Sequence, residues 1–190
     1  MTDRPKAHDA LLGATNELTY ERGITGTGVD AIAARAGVTK RTLYQHFGSK
    51  DRLVAEALAE RNRRALANLE ANARRRSEET GEPAILAFFD VIENALRTKT
   101  QAGCAFINAS LEINYPGHPV HEAALAHLRA REALVHQLLV EAGADDADLA
   151  AQVVVLVDGA YAVGGSRRDP TAARHAKAAA AALLARRGVP

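Results

Sequence analysis

Cys104 is the chain's only cysteine, which excludes an intramolecular disulfide and any cysteine-rich zinc site, and fits a reducing compartment. Charge imbalance is also missing: 24 Lys and Arg against 23 Asp and Glu leave a formal net charge of +1. An indiscriminate polycation is thereby excluded, so any affinity for nucleic acid has to reside in a local patch. Long apolar runs are absent too. The longest uninterrupted one, "AAAAALLA" at 178–185, falls far below the roughly 18 residues that a bilayer span needs. The first twenty residues lack the apolar core of a secretory signal, and a soluble, cytoplasmic protein is expected. With 47% apolar and 25% charged residues in 190, the composition is that of a globular chain able to bury a core.

Apolar periodicity and breakers together predict an all-α chain of about nine helices. Ala7, Leu11, Ala14 and Leu18 recur at intervals of three and four over 5–21, and Gly23 ends that helix. Thr27 and Asp30, three apart, resemble a weak capping box for a short second helix with Ile32, Ala33 and Ala36 on its apolar face. Thr39 is placed to cap a third, with Leu43 and Phe47 inward and Gly48 closing it; Ser49 is placed to cap a fourth. The fourth helix carries the stripe Leu53, Val54, Ala57 and Leu58, is interrupted by the polar run 61–64, and resumes at Leu66 and Leu69. Such a helix changes its buried partner midway, and a domain boundary is expected near residue 50, giving units of 1–50 and 51–190. Later helices are expected at about 82–100, 104–114, 119–142, 146–163 and 170–187. The β-branched run "VVVLV" at 153–157 belongs to one of them, because it sits inside a breaker-free segment too long for a strand.

The stretch "GVTKRTLYQHFGSKDRL" at 37–53 concentrates four cationic side chains, two threonine hydroxyls, a tyrosine and a histidine around a few apolar residues. Two short helices joined by a glycine turn and braced by a third form the arrangement that lays a recognition helix in the major groove of DNA. In that geometry Lys40, Arg41, Tyr44 and Gln45 lie toward the outer side of the third helix. Arg41 carries the rigid donor fork that matches guanine acceptors or a phosphate. Thr39 and Thr42 place hydroxyls at the helix amino end, where free amides favour an anion. Tyr44, His46 and Lys50 suit phosphates or base edges.

Residues 24–53, "ITGTGVDAIAARAGVTKRTLYQHFGSKDRL", resemble the DNA-binding region of the tetracycline-repressor (TetR/AcrR) family. Thr27, Ile32, Ala33, Ala36, Gly37, Val38, Thr39, Tyr44, His46, Phe47, Ser49, Lys50 and Leu53 follow that family's pattern in order. The resemblance implies a helix-turn-helix head on a larger helical body, dimerisation through the last two long helices, and repression from a palindromic operator relieved by a small molecule. Carried over by position, it implies DNA contacts at Thr27, Thr39, Lys40, Arg41, Thr42, Tyr44, His46 and Lys50. Thr19 stands where the family usually has phenylalanine, Gly28 replaces a frequent hydroxyl, and Asp30 occupies a position often basic.

Beyond about residue 60 the resemblance is weak. Five of the eight aromatics, Phe88, Phe89, Phe106, Tyr115 and Tyr161, fall there and are candidates to line an apolar ligand cavity, with plain core packing as the alternative. Asn108, Glu112 and Tyr115 follow helical spacing and supply a candidate polar row. Asp158 interrupts an apolar run and needs a partner. Cys104 has no cationic neighbour in sequence that would activate it. His118, His121 and His127 lack metal-site spacing, so neither a metal nor a cofactor is expected. Small residues in the last two helices permit the close packing of a homodimer. An enzyme using Glu112 or Asp158 with a histidine, and a helical adaptor that binds no DNA, are the rival readings.

Overall fold

The structure, a computed structural model, describes residues 4–97 and 103–189. Among them every regular element is helical: α1 (Arg4–Arg22), α2 (Val29–Arg35), α3 (Lys40–Phe47), α4 (Lys50–Thr80), α5 (Ala84–Leu96), α6 (Ala105–Glu112), α7 (Pro119–Glu141), α8 (Ala147–Arg167) and α9 (Thr171–Ala185). The expected all-α order is observed, and "VVVLV" lies within α8.

By packing, the chain forms two units, Met1–Arg64 with Ala105–His127, and Ala65–Cys104 with Leu128–Pro190. In the first, Leu11, Leu18, Ile32, Leu43, Phe47 and Leu53 share one core. These are the inward positions of α1 to α4, and the core holds the short helices α2 and α3, which are too short to persist alone. In the second, Phe88, Phe89, Ile92, Leu138, Val153 and Val157 belong to a larger core, with α5, α8 and α9 packed pairwise. The packing division falls at the polar run of α4, where Glu60 pairs with Arg63 and Arg64. It lies about four helix turns beyond residue 50, because Val54, Ala57 and Leu58 are still buried.

Local chemistry explains the helix starts. Thr39 accepts a hydrogen bond from the Thr42 amide at 3.1 Å and Ser49 accepts one from the Arg52 amide at 3.1 Å, the side-chain capping that satisfies free amides in a first turn. Asp146 does the same for α8, accepting from Leu149 at 3.0 Å. The expected Thr27 cap does not form: Gly28 occupies the N-cap position of α2 with no side-chain bond. Thr27 instead donates its hydroxyl back to the carbonyls of Gly23 and Leu18.

The helix expected at about 146–163 runs further, to Arg167, as α8. Gly164 is buried, and a Cβ there would fall 2.5 Å from Leu96 Cδ1, so glycine permits α5 and α8 to approach. Averaged over 18 residues, α8 is apolar enough by length and composition to cross a bilayer, although it holds no long uninterrupted apolar run. One face of it, including Leu149, Val153, Val157 and Ala160, is buried, and a core helix of a bundle meets the same measure.

Candidate nucleic-acid interface

Helix α2 ends on Ala36, and the chain reverses through Gly37 at φ 67°, a left-handed conformation that glycine adopts without steric cost. The Val38 amide then donates to Ala33 O at 3.0 Å, closing the turn. Leu43 and Phe47 are buried and fix the inner side of α3. Behind Phe47, the His8 ring stacks at 4.9 Å between centroids, and His8 Nε2 lies 2.7 Å from Glu56 Oε1. The recognition helix is thus held from α1 and α4 while its other side remains outward.

On that side Arg41 is exposed, and no hydrogen bond or ion pair from the described residues holds its guanidinium. Tyr44 is 44% exposed, its phenol able to donate to an acceptor outside the chain. Lys40 Nζ lies 3.1 Å from Asp30 Oδ2 in an exposed pair joining α2 to α3. Thr39 and Thr42 share a hydroxyl hydrogen bond of 2.8 Å at the amino end of α3, and His46 is half-buried, its ring 6.0 Å from that of His8. Lys50 Nζ donates to Ile24 O at 2.6 Å, which ties α4 to the α1–α2 turn; an ammonium retains further donors.

Thr27 departs from the expectation. It is 1% exposed and its hydroxyl serves internal carbonyls, so its side chain does not reach the outward surface; its place is to brace the turn before α2.

The eight candidate ligand residues divide between the two units: Phe106, Asn108, Glu112 and Tyr115 belong to the first, Phe88, Phe89, Asp158 and Tyr161 to the second. Phe88 and Phe89 are fully buried core of the second unit. Phe106, in the first unit, stacks on His127 at 3.5 Å, with His127 Nδ1 2.8 Å from Asn62 Oδ1. The proposed row Asn108, Glu112, Tyr115 breaks because α6 stops at Glu112, leaving Tyr115 in the following turn and 70% exposed. Asp158 pairs with Arg131, which also lies under the Tyr161 ring at 5.6 Å. Burial pushes the Asp158 carboxyl up against the pull of that guanidinium.

Two partnerships were illegible in sequence. Glu112 accepts from the backbone amides of Ile24 at 2.9 Å and Thr25 at 2.6 Å, so α6 clamps the α1–α2 turn. Against the penalty of burial, the Thr25 and Ile24 amides hold its carboxyl below the usual range. Arg131 donates to Cys104 Sγ at 3.6 Å, supplying the cation that sequence neighbours lack. The signals existed, a lone carboxylate in an apolar helix and an arginine among leucines, but the partners lie 27 to 88 residues away. Among the described residues no group of three or more His, Cys, Asp or Glu could hold a metal ion.

A glycine-turned helix pair presenting a free arginine and an exposed tyrosine, braced by a third helix, defines a protein of the helix-turn-helix DNA-binding class. Residues 11–57 match the profile of bacterial regulatory proteins of the tetR family. The fold of the TetR-family transcriptional regulator SCO4454 from Streptomyces coelicolor superposes with a TM-score of 0.82 at 31% identity, covering 97% of this chain and 96% of that one. The HTH-type transcriptional activator FasR of Mycolicibacterium smegmatis is 38% identical over 97 residues, which span 48% of this chain and 42% of FasR. The HTH-type transcriptional regulator YjdC of Escherichia coli is 26% identical over 77% of this chain and 76% of its own length. The chain belongs to the TetR family, and it is a DNA-binding transcriptional regulator, not an enzyme.

Proposed function

We propose that the chain is a homodimeric repressor that holds a palindromic operator through two copies of α3 and leaves it when a small molecule binds. Residues 1–50 carry the DNA-binding function and 51–190 the ligand and dimer functions. The observation that supports this most is Arg41, exposed at the amino-terminal half of α3 and without an acidic partner among the described residues. Arg41, Lys40, Thr42 and His46 are the side chains for base edges; Thr39, Tyr44 and Lys50 set position on phosphates. In a two-fold dimer the recognition helices enter successive major grooves about 34 to 36 Å apart. Helices α8 and α9 are the proposed interface, supported by Val155 and Val163, apolar and exposed on α8, and by the small residues of α9. The protein acts in the cytoplasm.

The test is duplex binding at graded salt, using fragments selected from the source organism's own DNA. Steep loss of affinity with salt, with a smaller slope for Lys50→Ala, is the expected result, about one unit per phosphate contact removed. If Arg41→Ala and Lys50→Ala both bind as the parent does, this surface is not the DNA interface.

A further inference from the structure

The first unit contains a cleft of about 240 Å³ between α1, α4 and α6. Its apolar walls are Val54 and Leu58 of α4 with Ala105 and Ala109 of α6. Arg61 closes one side, its guanidinium 5.0 Å from the centroid of the Tyr20 ring. Its neighbours Arg63 and Arg64 are both taken by Glu60, whereas no carboxylate among the described residues pairs with Arg61. Another wall is Glu112, with its oxygens on the Ile24 and Thr25 amides. A half-buried arginine on an aromatic face above an apolar floor is a receptor for a small anion with an apolar body.

We propose that this cleft is a binding site for a small monocarboxylate, its carboxylate on Arg61 and its hydrocarbon against α4 and α6, and that occupancy loosens the Glu112 clamp on the α1–α2 turn. At roughly 30 Å³ per water-sized group, 240 Å³ holds about eight such groups, the size of a benzoate or a short fatty acid and below the range of drug-sized ligands. The like charge of Glu112 does not close the site to anions. Its oxygens accept from the Ile24 and Thr25 amides, and the Lys50 ammonium, on the Ile24 carbonyl at 2.6 Å, sets a cation beside the same turn that offsets the carboxylate charge. The clamp joins α6, which forms a wall of the cleft, to the turn that precedes α2, so a ligand that displaces α6 acts on the backbone leading into the DNA-reading helices. This regulatory half rests on the ligand-released reading above; the binding half does not.

The experiment titrates the whole chain with benzoate by calorimetry and compares benzyl alcohol, its neutral counterpart in shape. Benzoate is expected to bind once per chain and benzyl alcohol about tenfold more weakly, the loss that follows removal of one charge-assisted interaction. Arg61→Gln should weaken benzoate by a similar factor, and Thr19→Phe, which fills the cleft from α1, should abolish binding while circular dichroism reports whether each variant is folded. No benzoate binding, equal binding of the alcohol, or indifference to Arg61→Gln overturns the site. Duplex affinity is then measured by anisotropy with and without saturating benzoate: a fall of about tenfold is the size of a typical coupling between sites, and an unchanged affinity with bound benzoate overturns the coupling. A chain that binds no duplex in the absence of benzoate counts against the repressor reading and leaves the calorimetry intact.

Discussion

Arg41 and Arg131 put the same side chain to opposite uses in the two units. Arg131 is 2% exposed, paired with Asp158, beneath the Tyr161 ring and within reach of Cys104; every direction around it is already filled by its own chain. Arg41 is exposed, with none of this among the described residues. The contrast extends to the other cations. In the second unit Lys177 joins Glu82 and Asp90, and against the cost of burial its bonds to Glu82 and Asp90 raise its affinity for the proton. Arg74 joins α4 to α7 through Glu70 and Glu141, and its hydrogen bond holds the Glu141 carboxyl at about 2. Charge in that unit ties helices together. On α3 the Arg41 charge has no acidic partner among the described residues, and an uncompensated cation on a rigid helix is what a polyanion needs.

Mutation of each kind of charge should break that contrast in a different observable. Asp158→Ala leaves Arg131 buried without its carboxylate, and a loss of about 3 kcal/mol in urea unfolding is expected, the low end for breaking a buried pair because Asp158 is partly solvated. Arg41→Ala should cost about 1 to 3 kcal/mol of duplex affinity per half-site while its unfolding midpoint stays that of the parent. Should Arg41→Ala unfold the chain and Asp158→Ala spare it, the division of labour drawn here is reversed.

Glu112→Gln should cost about 1 to 2 kcal/mol in thermal stability, since two amides lose a charged acceptor that is partly solvated. The pH dependence has a definite sign. A carboxyl held below its ordinary value of 4.5 in the folded state contributes stability above that value and loses it as pH falls through the folded one. The parent's advantage over Glu112→Gln should therefore be full at neutral pH and shrink below about 4.5. A pH-independent difference would show that the charge of Glu112 is not what grips the turn.

The smallest effect belongs to the exposed Lys40–Asp30 pair, worth a few tenths to about 1 kcal/mol to stability. Asp30→Asn frees Lys40 and removes a negative charge beside the DNA-facing surface. Tighter duplex binding with a steeper salt dependence is expected, measured by the same anisotropy titration.

The head was largely legible before the fold was known because its determinants are local. Caps at Thr39 and Ser49, the glycine turn at 37, and the inward pair Leu43 and Phe47 each act over a few residues. Thr27 misled for the same reason: a hydroxyl before a helix reads as a cap, and only the approach of the Leu18 and Gly23 carbonyls redirects it. The surroundings of the candidate ligand residues were harder to read. Aromatic identity cannot tell Phe88, fully buried in a core, from a side chain lining a cavity, and helical spacing cannot show that α6 ends before Tyr115.

The sequence by itself determined the all-α class, the order of the helices and the residues that α3 turns outward, since periodicity, caps and glycine turns are properties of neighbours along the chain. Only the tertiary structure decided which charges are spent and which are free. Glu112 on the Ile24 and Thr25 amides, Arg131 on Asp158 and Cys104, and the cleft at Arg61 all depend on residues far apart in sequence. A charge is neutralised by whatever lies within a few ångströms of it, and that distance is set by packing.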